Sequence, residues 1–250
     1  MPKDLHVLSN KVAVVTGGSR SIGAAIAKKL ADLGATVVIT YNQSPEKANA
    51  VVEEILAKGM QALAIQADAA RPEAVKQAIL TTVETYGGID ILVNNAGMSI
   101  TGDIEQLSLS DYEKMIAVNV TAVFVATQEA VRHMKTGGRI IHIGSAMTNF
   151  SAFPTASLYT LTKGAISGFS KSLARDLGPR GITVNTVLPG STDTDMNPEI
   201  GAVSNIILPM IALGRYAKVE EISEVVAFIA SPAASYMTAS EILVDGGFTA

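Results

Sequence analysis

The chain has 250 residues, 48% apolar and 17% charged, and a net charge of −4; that length suits one α/β domain, and the slight acidity leaves no electrostatic footprint for nucleic acid. No uninterrupted apolar run reaches the ~18 residues that cross a bilayer, and residues 1–10 lack the apolar core of a signal peptide, so neither a membrane span nor a leader is expected. The chain has no Cys, which removes disulfides and thiolate metal sites and suits a cytoplasmic location, while His6, His133 and His142 have no metal-ligand spacing, so no metal is expected.

Val12–Val15 is a short apolar run, read as a buried strand. Thr16-Gly-Gly-Ser-Arg-Ser-Ile-Gly23 interrupts it, and a helix follows over 24–33, closed by Gly34. Residues 36–40 form the second strand and 45–58 the second helix, again ended by a glycine. A third strand over 62–65 ends near Asp68, a helix runs over 72–86, and a fourth strand covers 89–93. Ser110 opens a long helix reaching about residue 134, with Ser110 and Glu113 at capping-box spacing. Arg139-Ile-Ile-His-Ile143 is the fifth strand; Gly144 ends it and Ser145 stands at its tip. After a loop with Pro154, Leu158, Leu161, Ala165, Ile166, Phe169, Leu173 and Leu177 recur at three- and four-residue steps and predict a helix. The sixth strand covers 182–187, helical turns fill 197–212 and 219–230, and 241–244 is the seventh strand.

Strand and helix alternate throughout. The strands are continuous apolar runs, so both faces of the sheet are covered. This predicts a doubly wound, seven-stranded parallel sheet of the Rossmann-like α/β class, with residues 1–250 as a single domain. Ligands of such sheets bind outside the carboxyl ends of the strands. Those ends are the small and polar stretches 16–23, Tyr41 and Asn42, Asp68, 94–97, Gly144 and Ser145, and 188–190. The turn at 16–23 opens a helix whose free N–H groups can take a pyrophosphate. No Gly-Lys-Ser/Thr follows, which excludes a phosphate-cradling loop of the nucleotide triphosphatase kind.

Tyr159 and Lys163 are four apart on the predicted helix and share a face. A phenol has a pKa of roughly 10, too high for proton transfer at neutrality. An ammonium about 4 Å away, at an effective dielectric near 20, favours the phenolate by about 4 kcal/mol, or roughly 3 pKa units. Tyr159 would then act as general acid or base. The same spacing also fits a surface tyrosine beside an exposed lysine; a cofactor site next to the pair is what separates the two readings.

Thr-Gly-x-x-x-x-Ile-Gly at 16–23, Asp68, Asn94-Asn-Ala-Gly97, Asn119, Ser145, Tyr159-x-x-x-Lys163 and Pro189-Gly190 together resemble the classical short-chain dehydrogenases/reductases. The resemblance runs to Val-Asp-Gly-Gly247 and is nearest to the 3-oxoacyl-acyl-carrier-protein reductase type. It implies that Ser145 polarises a carbonyl, that Tyr159 donates the proton, and that Lys163 lowers the Tyr159 pKa and holds the nicotinamide ribose. Asn119 would hold a water linking Lys163 to solvent. Gly17, Ser19, Arg20, Ser21, Ile22 and Gly23 would receive the phosphates, Asp68 and Ala69 would lie at the adenine, and Tyr41 and Asn42 at the adenosine ribose. Asn94 to Gly97, with Asn95, Ala96 and Gly97 as cofactor contacts, would shape the adenosine side and flank the nicotinamide ribose, and Pro189, Gly190 and Thr192 would contact the carboxamide. Asp68 also suits a plain helix-start position ahead of Pro72, and Asn119 a backbone-bonding role. One departure stands out: the family usually carries Gly where this chain has Ser21, which leaves the geometry of the first turn open.

The resemblance implies an NADPH-dependent reductase that turns a ketone into a secondary alcohol, the ketone being a 3-oxoacyl thioester or a small apolar or cyclic compound. The alternatives are an NAD-dependent alcohol dehydrogenase and a non-catalytic nucleotide sensor. NADP(H) is expected over NAD(H), because no acidic residue follows the second strand before Glu46 and Arg20 stands in the first turn. Residues 191–215 are expected to form a flap, strongly apolar through Ile200, Val203, Ile206, Ile207, Leu208, Met210 and Ile211. Met98, Ser145, Met147, Phe153 and Ile207 are the expected substrate pocket, although these apolar side chains equally suit core or a subunit interface. Arg132 and Arg175 match positions at which the family meets acyl carrier protein. Apolar residues on more than one face of the helices over 110–134 and 158–177 call for a partner, and the resemblance, in which these helices usually pair across a two-fold axis and the Val-Asp-Gly-Gly-Phe segment often makes a second interface, implies a D2 homotetramer.

Overall fold

Alternating apolar runs and helices fold into one seven-stranded parallel sheet. In this computed structural model, which describes residues 6–250 except the side chains of Ala202 and Val203, its strands are β1 (Val12–Val15), β2 (Thr36–Tyr41), β3 (Ala62–Gln66), β4 (Ile91–Asn94), β5 (Arg139–Ile143), β6 (Thr183–Pro189) and β7 (Glu241–Val244). Part of the 1–10 stretch and the Val203 side chain read from the sequence therefore lie outside the described residues. The strand order is β3-β2-β1-β4-β5-β6-β7. Every pairing is parallel, so the order reverses between β1 and β4 and opens a crevice at their carboxyl ends.

Alternate residues of the strands feed two separate cores. Val15, Val37, Ile39, Val93 and Ile141 face one side, against Ile26 and Leu30 of α1 (Ser21–Asp32), Val51 and Ile55 of α2 (Pro45–Ala57) and Val226 of α8 (Val219–Ala230). Val14, Val38, Leu92, Ile140 and Val184 face the other. There they meet Ile79 of α3 (Pro72–Tyr86), Ala126 of α5 (Ala122–His133) and Ala174 of α6 (Ser157–Leu177). Both faces are covered, which is why the strands lack polar alternation.

Three features of the helices differ from the sequence reading. The long helix starts at Leu109, and its cap is Ser108 rather than Ser110. The Ser108 hydroxyl accepts the Asp111 N–H at 3.1 Å while the Asp111 carboxylate accepts the Ser108 N–H at 3.1 Å. Ser108 has extended backbone, as a cap requires, whereas Ser110 is already inside the helix. That helix is also not continuous: α4 (Leu109–Ile116) passes through a π-helical turn, Ala117–Thr121, before α5 begins. The stretch Leu109–His133 is long and apolar enough to cross a membrane by composition, with mean hydropathy 1.2; 44% of that window is buried here, and it covers one face of the sheet. Finally, only α7 (Ala202–Ile207) and the short 3-10 turn Leu208–Met210 are helical within 197–212. Residues 197–201 instead follow a bridge between Thr194 and Asn197.

Candidate active site

Thr16 ties the two sides of the crevice together. Its hydroxyl accepts the N–H groups of both Asn95 and Ala96 at 3.0 Å, and the Asn95 amide donates back to the Thr16 and Gly17 carbonyls at 2.9 and 3.1 Å. The Gly17 N–H in turn reaches the Thr40 hydroxyl at 3.1 Å. The first turn is thereby fixed to β2 and to the segment that follows β4. A Cβ on Gly23 would collide with the Gly17 carbonyl and the Asn95 amide, so the helix can start this close to β1 only with glycine there. Ser21 has φ +48°, in the left-handed region that glycine favours. The serine is accommodated, and the turn keeps its path at a cost of about 1–2 kcal/mol. Ser19 and Ile22 are half-buried in this turn.

The π-helical turn explains Asn119. An extra residue in the helix directs this side chain inward, where it is 2% exposed. Its amide donates to the Met98 carbonyl at 2.9 Å and the Thr162 hydroxyl at 3.0 Å, and its carbonyl accepts the Met98 N–H at 2.9 Å. Asn119 thus joins the segment after β4 to α6, the backbone-bonding alternative left open by the sequence. A Cβ placed on Gly97 would lie 3.5 Å from both the Asn119 carbonyl oxygen and Lys163 Nζ, so the bare Gly97 opens a path to the lysine.

Lys163 is 7% exposed and donates from Nζ to the Ile143 carbonyl at 2.8 Å, at the tip of β5. Burial pushes its ammonium down to about 8. The same nitrogen lies 5.8 Å from the centroid of the Tyr159 ring. Tyr159 does not follow the electrostatic argument made from the sequence. Burial raises its pKa, and the neighbouring Ser145 hydroxyl only partly offsets this. The hydrogen bond that Lys163 Nζ makes goes to a backbone carbonyl rather than to the phenol. Ser145, 6% exposed, also accepts the Met147 N–H at 3.2 Å, which turns the chain back over the strand tip.

The adenosine end is more open. Asp68 uses one carboxylate oxygen to accept the Ala70 N–H at 2.9 Å and lies 3.4 Å from the Asn42 amide, so it shapes the turn into α3. A cleft lined by Thr16, Thr40, Ala69, Ala96, Val118 and Val123 lies between these strand tips. Tyr41 ends β2 half-buried, with no acidic side chain beside it in the strand. Arg20 is exposed, and its nearest charged partner is Asp195, at 3.5 Å. Lys47, which the sequence reading passed over, reaches the same carboxylate oxygen at 3.2 Å.

On the other side, the Gly190 N–H donates to the Val244 carbonyl at 2.9 Å, a Cβ on Gly190 would meet Asp245 Cα at 2.6 Å, and the Thr192 hydroxyl caps the Gly190 carbonyl at 3.1 Å. Pro189 closes β6. Ile207, expected to line a pocket, is 5% exposed and packs with Ile211, Tyr216 and Phe248 in a small third core. Phe153 stacks on Phe248 with ring centroids 6.2 Å apart, and Phe150 meets it edge-on at 5.9 Å. Phe248 thus packs against the segment carrying Phe150 and Phe153 as well as against Ile207 and Ile211. The sequence offered no signal for this beyond its aromatic character. Met98 and Met147 remain half-buried. Among the described residues no acidic or histidine cluster has metal-ligand geometry.

A doubly wound sheet with a glycine turn at its switch point, and a half-buried tyrosine with a buried lysine four residues on, defines a Rossmann-type oxidoreductase. A family model described as enoyl-(acyl carrier protein) reductase matches residues 17–249. A 3-oxoacyl-[acyl-carrier-protein] reductase of Synechocystis sp. is 41% identical over 246 residues, 97% of this chain and 98% of that one. Versicolorin reductase 1 of Aspergillus parasiticus is 38% identical over 260 residues, 98% of each chain. The crystal structure of a short chain dehydrogenase from Burkholderia cenocepacia in complex with NADP has a TM-score of 0.96 and 49% identity, covering 97% of this chain and 99% of that one. The chain belongs to the short-chain dehydrogenase/reductase family and is an oxidoreductase.

Proposed function

We propose that this chain is an NADPH-dependent ketoreductase that converts a ketone, either a 3-oxoacyl thioester or a small apolar or cyclic ketone, to a secondary alcohol. The observation that carries the reading is the half-buried Tyr159, its pKa raised by burial so that the phenol form is favoured, beside the buried Ser145 hydroxyl. In that state the phenol can give a proton to a carbonyl oxygen that the Ser145 hydroxyl also contacts. Bound NADPH would supply the hydride. Lys163 would hold the ribose and exchange its proton with Tyr159, its pKa of about 8 placing that exchange near neutrality. Asn119 positions Lys163 through Met98 and Thr162.

The residues present fit the cofactor. The first turn presents α1's free N–H groups, Gly23 permits close backbone approach, and Gly97 leaves the path to Lys163 open. Ser19, Ser21, Ile22, Asn95 and Ala96 complete the phosphate and ribose side, with Asp68 and Ala69 near the adenine. Pro189, Gly190 and Thr192 supply the carboxamide side. Tyr41 in place of an acid, together with Arg20, favours a 2′-phosphate. The relatives' names support carbonyl reduction while pointing to different substrates. Residues 191–215 act as the flap, with Met98, Met147 and Phe153 at the pocket. Acyl carrier protein is a candidate partner: Arg175 is exposed on α6, although Arg132 is engaged by Glu129 at 2.6 Å.

A D2 homotetramer goes with this reading. Phe124 of α5 and Leu161 of α6 are 48% and 51% exposed, and Phe228 of α8 is 47% exposed. These two apolar faces suit two different two-fold contacts. Light scattering at micromolar protein should give four times the mass of one chain; a monomer contradicts it.

The functional test is NADPH oxidation with a 3-oxoacyl thioester, a set of cyclic ketones and an enoyl thioester, with product stereochemistry determined. Reduction of at least one ketone is expected. Turnover of the enoyl thioester alone would overturn the carbonyl assignment, and alcohol oxidation with NAD alone would favour the dehydrogenase alternative.

A further inference from the structure

Two cations from separate parts of the chain meet on one oxygen. Arg20 lies at the start of α1 and Lys47 in the first turn of α2; both reach Asp195 Oδ2, at 3.5 and 3.2 Å. Asp195 belongs to neither helix. It sits after β6, within 191–215, in a tight turn where Thr194 and Asn197 exchange backbone hydrogen bonds and the Thr194 hydroxyl accepts the Asn197 N–H at 3.1 Å. The side chains of Arg20, Lys47 and Asp195 are all more than half exposed.

We infer that Arg20 and Lys47 together form the seat for the 2′-phosphate of the dinucleotide, and that Asp195 fills this seat in the free protein and is displaced when the phosphate binds. The inference rests on the NADPH reading above. It adds Lys47 as a specificity residue and couples the adenosine end of the site to the flap. Two convergent cations holding an anionic oxygen mark where an anion is favoured. Exposed ion pairs of this kind are weak, so the carboxylate is readily exchanged. A phosphate monoester carries nearly two charges and three acceptor oxygens, and Arg20 can engage it through a fork that a single carboxylate oxygen at 3.5 Å does not fill. When the phosphate takes over both cations, the turn carrying Asp195 loses its anchor. A cofactor lacking the 2′-phosphate leaves Asp195 in place. By linkage, whatever releases the turn also tightens phosphate binding by the same factor.

The test uses the intact protein and two fragments without the nicotinamide half, 2′,5′-ADP and 5′-AMP, so that nothing touches the flap directly. Affinities are measured by calorimetry at fixed ionic strength. Hydrogen exchange of peptides covering 191–201 is followed with each fragment. Lys47→Ala should weaken 2′,5′-ADP binding about tenfold, the worth of one charge-assisted hydrogen bond, and leave 5′-AMP unchanged. Lys47→Arg should retain the preference. Asp195→Asn should strengthen 2′,5′-ADP binding severalfold with 5′-AMP unchanged. Exchange at 191–201 should rise on adding 2′,5′-ADP to the wild type and stay level with 5′-AMP. An unchanged ratio of the two affinities in Lys47→Ala, or weaker 2′,5′-ADP binding in Asp195→Asn, overturns this inference while leaving the reductase reading intact. A wild type that binds neither fragment nor NADPH overturns both.

Discussion

The two ends of the strand-tip crevice are built on opposite principles. At the catalytic end, Asn119, Ser145 and Lys163 are each less than a tenth exposed, and their partners are backbone groups or buried hydroxyls. At the adenosine end, Arg20, Lys47 and Asp195 are each about half exposed and share one loose contact. Burial is what alters chemistry: it raises Tyr159, lowers Lys163 and removes the freedom to change partners. Exposure instead permits a change of partner, because a solvated ion pair is weak. Under the proposed function, the proton-transfer groups are thus the buried ones and the selectivity groups the exposed ones.

The sharpest way to break this contrast is at Tyr159. Tyr159→Phe should lower the single-turnover rate by the ~10²–10⁴ typical of general acid–base catalysis while leaving NADPH affinity near that of the wild type. A Phe variant that keeps more than about a tenth of the rate contradicts the proton-donor role. Lys163→Ala should weaken both rate and affinity. Lys163→Arg should remove any limb near pH 8 from the pH dependence of kcat/KM, because a guanidinium does not titrate there. If the limb stays, it belongs to another group.

At the exposed end a smaller, selective effect is expected. Arg20→Ala should reduce the ratio of kcat/KM for NADPH over NADH by about tenfold, the value of one charge-assisted hydrogen bond, with little change in the NADH rate. A ratio that does not move would place the selectivity elsewhere.

Burial at the catalytic end has a further consequence one strand position below Ile143. His142 is fully buried, pairs through Nδ1 with the Asn94 amide at 3.1 Å, and is pushed down to about 3, first by burial and then by Lys163. Its folded pKa lies below the ordinary value near 6.5, so its contribution is fully present above that value and is lost as pH falls towards 3. The slope is about 1.4 kcal/mol per pH unit. Unfolding by urea should therefore show about 2 kcal/mol less stability at pH 5 than at pH 6.5 from this group, and His142→Gln should flatten that slope. Equal slopes in the two proteins would show that other groups set the acid limb.

The smallest effect concerns the first turn. Ser21→Gly should relieve the left-handed strain, partly offset by the greater freedom of glycine in the unfolded chain. A net gain of about 1 kcal/mol or less is expected, or a rise in Tm of roughly 2–4 °C. A lower Tm would show that the serine hydroxyl makes a compensating contact.

Most of the architecture was legible from residue order. Apolar runs separated by helical periodicity require a covered parallel sheet, and topology then gathers 16–23, 94–97, Ser145 and Pro189 on one edge regardless of side-chain detail. The spacing of Tyr159 and Lys163 placed both on one helical face. Local competition was less legible: Ser108 rather than Ser110 caps α4, because a cap is chosen by which residue leaves the helix and not by spacing alone. The π-helical turn at Asn119 leaves no trace in a pattern whose period changes for a single turn.

What only the tertiary structure decided were the relations between segments far apart in the chain. Spacing suggested that Lys163 acts on the Tyr159 phenol; packing gave its Nζ to the Ile143 carbonyl and let burial set both pKa values. Composition suggested that Ile207 lines a pocket; its side chain is instead packed in a small third core, because Phe248, some forty residues on, fills the space beside it. Arg20, Lys47 and Asp195 are separated by up to 175 positions, and no periodicity links them. Local order determines which faces must be buried, since that follows from the period of each element. Which charges meet, and which hydroxyls share a partner, depends on how the elements stack, and those contacts exist only once the chain is folded.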